Sequence, residues 1–212
     1  VAEALARSAS AAPLREAPAV PSGAGDLALA QQRNLASVVE RNSEAAVTAA
    51  AAAVLAARRV AFLGLRASHG IAHHLRYACD WLRPDTLLLN DLAGALVDQV
   101  AELRPDELPV VVSQAPYTRQ TVELVQQAHT TGVPVLALTD SPLSPLARAA
   151  RWVLLFDAAS PSFFHSMTGA QALAERLVAE VAARGGEAVV QRLRQVQARQ
   201  HAQRAYWEKR PF

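Results

Sequence analysis

The chain is short of cysteine, aromatic residues and charge of either sign. One cysteine, Cys79, stands among 212 residues, so no internal disulfide can form. That usage fits a reducing, cytoplasmic setting. Aromatic residues make up 5% of the chain and hydrophobic residues 51%. Alanine carries much of the difference, which points to a core of close-packed helices with small side chains. The formal net charge of +2 is too small to mark a nucleic-acid surface. No apolar run approaches the ~20 residues of a membrane span. No charged stretch followed by an apolar run marks a secretory signal.

Several motifs are missing as well. The dinucleotide fingerprint Gly-x-Gly-x-x-Gly is absent, because Arg66 stands where its second glycine would be. There is no Walker lysine. His69 and His73 are four apart, but Gly70 follows His69 where a metalloprotease helix needs glutamate. Neither a metal nor another cofactor is expected. The first residue is Val1, which reads as a cut from a longer protein.

Two segments share one plan. Residues 60–70 read VAFLGLRASHG and residues 109–123 read PVVVSQAPYTRQTVE. In each, an apolar run stops at a small residue, passes a hydroxyl-bearing loop and enters a helical pattern. That is the form of a strand whose C-terminal end opens onto a helix N-terminus. Such ends present unpaired N–H groups and partial positive charge, and they favour anions.

The rest of the pattern alternates. Proline and glycine in 13–25 predict a linker, after the tail of a helix in 1–14. Helices are predicted over 26–40, with Asp26 as N-cap, and over 43–57. Strands follow at 60–65, 86–89, 108–113, 133–139 and 152–156. Between them lie helices at 68–82, 92–102, 118–130 and 145–150. Gly132 suits a helix C-terminus, and Ser144-Pro145 suits a helix start. Two long helices, 162–184 and 187–207, close the chain. The strands are continuous apolar runs, as in a parallel sheet covered on both faces. The expectation is a three-layer αβα sandwich, with a five-stranded doubly wound parallel sheet in the flavodoxin-like order 2-1-3-4-5. In that order, the loops after the first and third strands line the crevice where such sheets bind ligands.

The candidate ligand residues are therefore Gly64, Arg66, Ala67, Ser68, Ser113, Gln114, Tyr117, Thr118, Arg119 and His165. Each has a plainer alternative. Ser68 and Thr118 are natural helix caps, and Ser113 can simply end a strand. Arg66 and Arg119 either grip an anion or sit solvated on the surface. Tyr117 covers a ligand or packs on its loop. His165, in SPSFFHSM, is an acid–base group or a capping histidine. From Arg184 onward, seven Lys/Arg face two Asp/Glu. Their spread along a helix suits a solvated face or a subunit contact better than nucleic acid.

The segments GLRASHGIAHHLRY, VVVSQAPYTRQTVELVQQAHTTGVPVLALTDSPLSPLARAARWVLLF and FHSMTGAQALAERLVAE resemble the sugar isomerase (SIS) domain. The closer likeness is to the effector domain of RpiR/MurR-type bacterial transcription regulators, over about 26–184. The first family loop commonly reads Gly-x-Gly-x-Ser; here Ser68 is kept and Arg66 replaces the second glycine. The second commonly reads Ser-x-Ser-Gly-x-Thr; here Ser113 and Thr118 match, while Ala115 and Pro116 replace the inner serine and glycine. A Pro-Tyr-Ser/Thr-Arg version resembles a subgroup of the regulators. The resemblance implies phosphosugar-contacting hydroxyls at Ser68, Ser113 and Thr118. It also implies that residues 1–25 are the end of a DNA-binding part plus linker, and that 26–212 form a SIS ligand-binding domain. DNA would be met only through an absent helix-turn-helix. A homodimer or tetramer paired through helices, and a small anionic sugar metabolite as ligand, complete the expectation. The rival is an aldose–ketose phosphate isomerase, with Glu123 and His165 as candidate proton carriers.

Overall fold

The computed structural model describes residues 24–207. The chain runs through α1 (Ala24–Glu40), α2 (Glu44–Ala56), β1 (Val60–Gly64), a 3₁₀ turn (Arg66–Ser68), α3 (His69–Leu82) and β2 (Thr86–Leu89). A second 3₁₀ turn (Leu92–Gly94), α4 (Leu96–Ala101), β3 (Leu108–Ser113) and α5 (Arg119–Thr130) follow. The order closes with β4 (Leu136–Thr139), α6 (Pro145–Ala149), β5 (Trp152–Leu155), α7 (Thr168–Arg184) and α8 (Gly186–Ala202). The linker and helix tail expected before Ala24 lie outside the described residues.

All five strands are parallel and stand in the order β2-β1-β3-β4-β5, as expected. Every residue of β1 and β3 is buried, which is why both read as unbroken apolar runs. Alternate residues serve opposite faces. Phe62, Val110, Val112, Leu138 and Leu154 pack with α2, α3 and α7. Leu63, Val111 and Ala137 pack with α4, α5 and α6 on the other side. Helix α8 lies against α3, where Arg192 Nη2 donates to the Asp80 carbonyl at 2.9 Å.

Local chemistry moves several boundaries. Helix α1 starts at Ala24, so Asp26 sits inside the first turn, not at the cap, and Gly25 is helical, not linker. The charge of Asp26 still complements the helix dipole there. The ladder of β4 begins at Leu136, not 133, because Pro134 has no N–H to give it. The helix expected over 92–102 is split by the left-handed Ala93 (φ 57°) and Gly94 (φ 72°). The last helix stops at Ala202, where a turn with Arg204 at φ 50° ends it. Helix α7 starts at Thr168, not 162, so the segment before it is irregular.

The end of β5 and the segment after it are pinned by α1 and by Asn42, which follows α1. Asn42 gives Nδ2 to the Leu155 carbonyl at 2.7 Å, and Leu155 N–H donates to Asn42 Oδ1 at 2.7 Å. One side-chain amide thus replaces a sixth strand along the free edge of β5. Asp157 N–H donates to Ser37 Oγ at 3.0 Å. Asn34 repeats the amide clamp on Ala159, at 2.8 Å and 3.2 Å.

Candidate functional site

Strands β1 and β3 are neighbours, and their helices α3 and α5 lie on opposite faces of the sheet. The chain therefore parts at their C-terminal ends and leaves a crevice, the usual ligand position in such sheets.

The first loop is built on a close approach. A Cβ added to Gly64 would lie 2.4 Å from the Ser68 carbonyl oxygen, so only glycine fits beneath that turn. Arg66 holds φ 53°, a left-handed conformation that costs a non-glycine residue about 1–2 kcal/mol. Its side chain is exposed, as is that of Arg119. Ala67 is half-buried beside it. Ser68 is 3% exposed and stands at the start of α3, yet it does not cap that helix. Its hydroxyl instead donates to Gln114 Oε1 at 3.0 Å.

Gln114 is the joint between the loops. It is 5% exposed, and its Nε2 meets Nε2 of His165 at 2.7 Å and the Met167 sulfur at 3.5 Å. His165 thus enters the crevice from the irregular segment before α7, not from a helix start. Its ring stacks on Phe164 at 4.3 Å. Burial lowers its pKa, partly offset by the negative charge of Asp140.

The second loop leaves β3 at the buried Ser113 and passes through a cis Ala115–Pro116 bond. Asp140, just past β4, organises it. Ala115 N–H donates to Asp140 Oδ2 at 3.2 Å and the Tyr117 hydroxyl donates to Oδ1 at 2.8 Å. Tyr117 packs against the second core, so its ring and hydroxyl are both occupied within the fold. Burial, then the Asp140 carboxylate, drive its pKa far up. Thr118 stands half-buried at the N-cap of α5 without a side-chain capping bond. Asp140 was missed in the sequence. Its signal is its position: it follows directly on the strand next to β3, at the carboxyl end where such sheets bind ligands.

A cavity of about 540 Å³ adjoins the loops. Leu29 and Arg33 of α1, Pro116, Phe163, Phe164 and His165 line it. Ser68, Ser113 and Thr118 do not line it; it meets the second loop at Ala115 and Pro116, and His165 lines it from the segment before α7. The second hydroxyl-bearing loop and the cavity are thus adjacent. Glu123 is exposed on α5 and takes no part in the Ser68–Gln114–His165 chain. Among the described residues, no three of His, Cys, Asp or Glu gather as metal ligands, and no helix is long and apolar enough to cross a membrane.

The family model of the SIS domain matches residues 53–183. The chain belongs to the SIS domain family. Its fold is shared with the sugar isomerase domain of an RpiR transcription factor from Sphaerobacter thermophilus. That match has 32% identity and a TM-score of 0.77, over 81% of this chain and 96% of the other. The Vibrio vulnificus NanR protein complexed with ManNAc-6P matches at TM-score 0.73 and 18% identity, over 83% of this chain and 68% of the other. The c3406 protein of E. coli CFT073 matches at TM-score 0.62 and 13% identity, over 75% of this chain and 87% of the other. The last two likenesses are of fold. No curated protein matches the sequence. In this SIS domain, the arginine that stands where a second loop glycine was expected holds a left-handed backbone, at φ 53°.

Proposed function

We propose that this SIS domain is the ligand-sensing, non-catalytic effector domain of a bacterial transcription regulator. Its ligand is a small anionic sugar metabolite, with a sugar phosphate as the first choice. The observation that carries this reading is the joining of the two hydroxyl loops at the switch point by the Ser68–Gln114 bond. Ser68, Ser113 and Thr118 supply hydroxyls, and the starts of α3 and α5 supply N–H groups for the anion. Arg66 and Arg119 add charge from the rim. The adjoining cavity accommodates the remainder of the sugar. The 32% identity to an RpiR transcription factor domain supports a regulator, and NanR bound to ManNAc-6P supports a phosphosugar.

In this reading the domain works in the cytoplasm as a homodimer or tetramer paired through helices. DNA contact belongs to a separate helix-turn-helix part. The ligand acts by binding two arrangements of the paired domains with different affinity.

Calorimetry against a panel of sugar phosphates and sugar acids tests the reading. Saturable binding of an anionic sugar without turnover is expected. Binding of none of them removes the proposal. The second reading is a phosphosugar aldose–ketose isomerase, and the placing of His165 in the crevice favours it. Conversion of an aldose phosphate to its ketose in the same samples would establish that instead.

A further inference from the structure

An anion needs hydrogen-bond donors, and a serine hydroxyl has one O–H to give. In this crevice the Ser68 O–H is committed to Gln114 Oε1 at 3.0 Å. Gln114 Nε2, which can only donate, faces His165 Nε2 at 2.7 Å. That ring nitrogen must then be the bare acceptor, and the imidazole hydrogen sits on Nδ1. With this polarity Ser68 offers a ligand lone pairs only, the wrong sign for an anion.

The chain has one other self-consistent polarity. With hydrogen on Nε2, the His165 ring donates, and the Gln114 amide turns over to receive it on Oε1. Gln114 Nε2 then donates to Ser68 Oγ, and the serine O–H is released to the crevice. Mixed arrangements set donor against donor or acceptor against acceptor. Ser68 and Gln114 are 3% and 5% exposed, so water is poorly placed to relieve such a mismatch. The weak contact of Gln114 Nε2 with the Met167 sulfur favours the resting polarity.

We propose that Gln114 is a positioning residue that makes anion capture by Ser68 conditional on hydrogen at Nε2 of His165. The inference rests on the reading that the anion binds at Ser68. Two routes deliver the hydrogen. Either the neutral ring exchanges its Nδ1 proton through solvent for one on Nε2, or the ring takes up one proton and becomes imidazolium. The groups facing the ring bear on the choice. Asp140 favours the second route, Asp26 and Arg33 of α1 share its cavity, and the Phe164 face is neutral.

Nitrogen NMR of the ¹⁵N-labelled chain, titrated with inorganic phosphate, tests the relay. In the free chain, the His165 Nε2 signal is expected in the range of a bare ring nitrogen. At saturating phosphate it moves to the protonated range, while the amides of Ser68 and Thr118 shift together. In Gln114→Met, and independently in Ser68→Ala, the Nε2 signal no longer follows phosphate. Amide shifts with an unchanged Nε2 would overturn the relay and leave the anion site standing. An Nε2 response that persists in folded Gln114→Met would remove Gln114 from it. An absence of amide shifts at Ser68 and Thr118 would overturn the anion site and the relay with it. The unsubstituted chain decides the polarity even if a variant does not fold.

Discussion

The Ser68 hydroxyl donates to Oε1 of Gln114 at 3.0 Å, across 46 positions of sequence. Ser68 opens one helix and Thr118 opens another, but neither side chain caps its helix. The two hydroxyls should therefore separate on substitution. Ser68→Ala leaves the buried Gln114 oxygen without a donor and should cost about 1–3 kcal/mol of stability. Thr118→Ala should leave stability nearly unchanged, although replacing a capping threonine usually costs about 1 kcal/mol. Both should weaken phosphate binding by about tenfold or more, the worth of one hydrogen bond to a charged group. Urea denaturation and calorimetry read the two effects. Loss of stability in Thr118→Ala would show a cap that the geometry does not.

Gly64 makes a sharper test of the loop. Its missing side chain is what lets the Ser68 carbonyl approach, with 2.4 Å left for a Cβ. The obstacle is backbone, which cannot swing aside as a side chain can. Gly64→Ala should cost about 1–3 kcal/mol by overpacking. It should also displace the Ser68 hydroxyl and weaken phosphate binding. Gly70→Ala, where a Cβ meets nothing within 4 Å, is the control and should be neutral or slightly stabilising. Equal melting curves for the two variants would contradict this account.

The sheet was legible because its strands are buried on both faces, so Val60–Gly64 and Leu108–Ser113 carry no polar interruption to confuse the period. The two hydroxyl loops were legible for the same reason, as abrupt ends to those runs. Asn34, Ser37 and Asn42 were not. Their partners lie 113 or more positions away, and an amide that mimics a strand edge has no local signature. The SPSFFHSM motif singles out His165, but the helix beside it starts at Thr168, later than the pattern suggests. The pinning of Ala159 by Asn34, which keeps that stretch irregular, is a tertiary fact. The sequence offers Gln114 as a ligand residue, and only the structure places it between Ser68 and His165.

The Asn42 clamp predicts how the edge of β5 fails. Asn42→Ala removes both bonds to Leu155, each 2.7 Å long, and strands a backbone donor and acceptor together. A cost of about 2–4 kcal/mol is expected, more than for a single hydrogen bond, because two groups lose their partners. Asn42→Asp keeps the acceptor for Leu155 N–H and loses the donor, so it should fall between. Hydrogen exchange at the Leu155 amide should accelerate in Asn42→Ala and much less in Asn42→Asp. Unchanged exchange in both would mean that the edge is held elsewhere.

His165 gives the chain a pH dependence of defined sign. Burial lowers its pKa below the ordinary histidine value of 6.5, against the opposing charge of Asp140. Between its folded value and 6.5, the unfolded chain binds more protons than the folded one. Stability therefore rises with pH through that window. The contribution is fully present above 6.5 and is lost as pH falls through the folded value. The hydrogen-bond chain supplies a geometric cause as well. A proton arriving at Nε2 would face the Gln114 Nε2 donor 2.7 Å away, so the amide must turn and give up its contact with Met167. Urea denaturation from about pH 5 to 8, the span in which histidine titrates, measures the slope. Asp26, Arg33 and Asp140 remain in His165→Phe, so the difference between the two slopes isolates the imidazole. The substituted chain should show the flatter profile below neutral pH, and superimposable profiles would mean that the ring protonates as freely folded as unfolded.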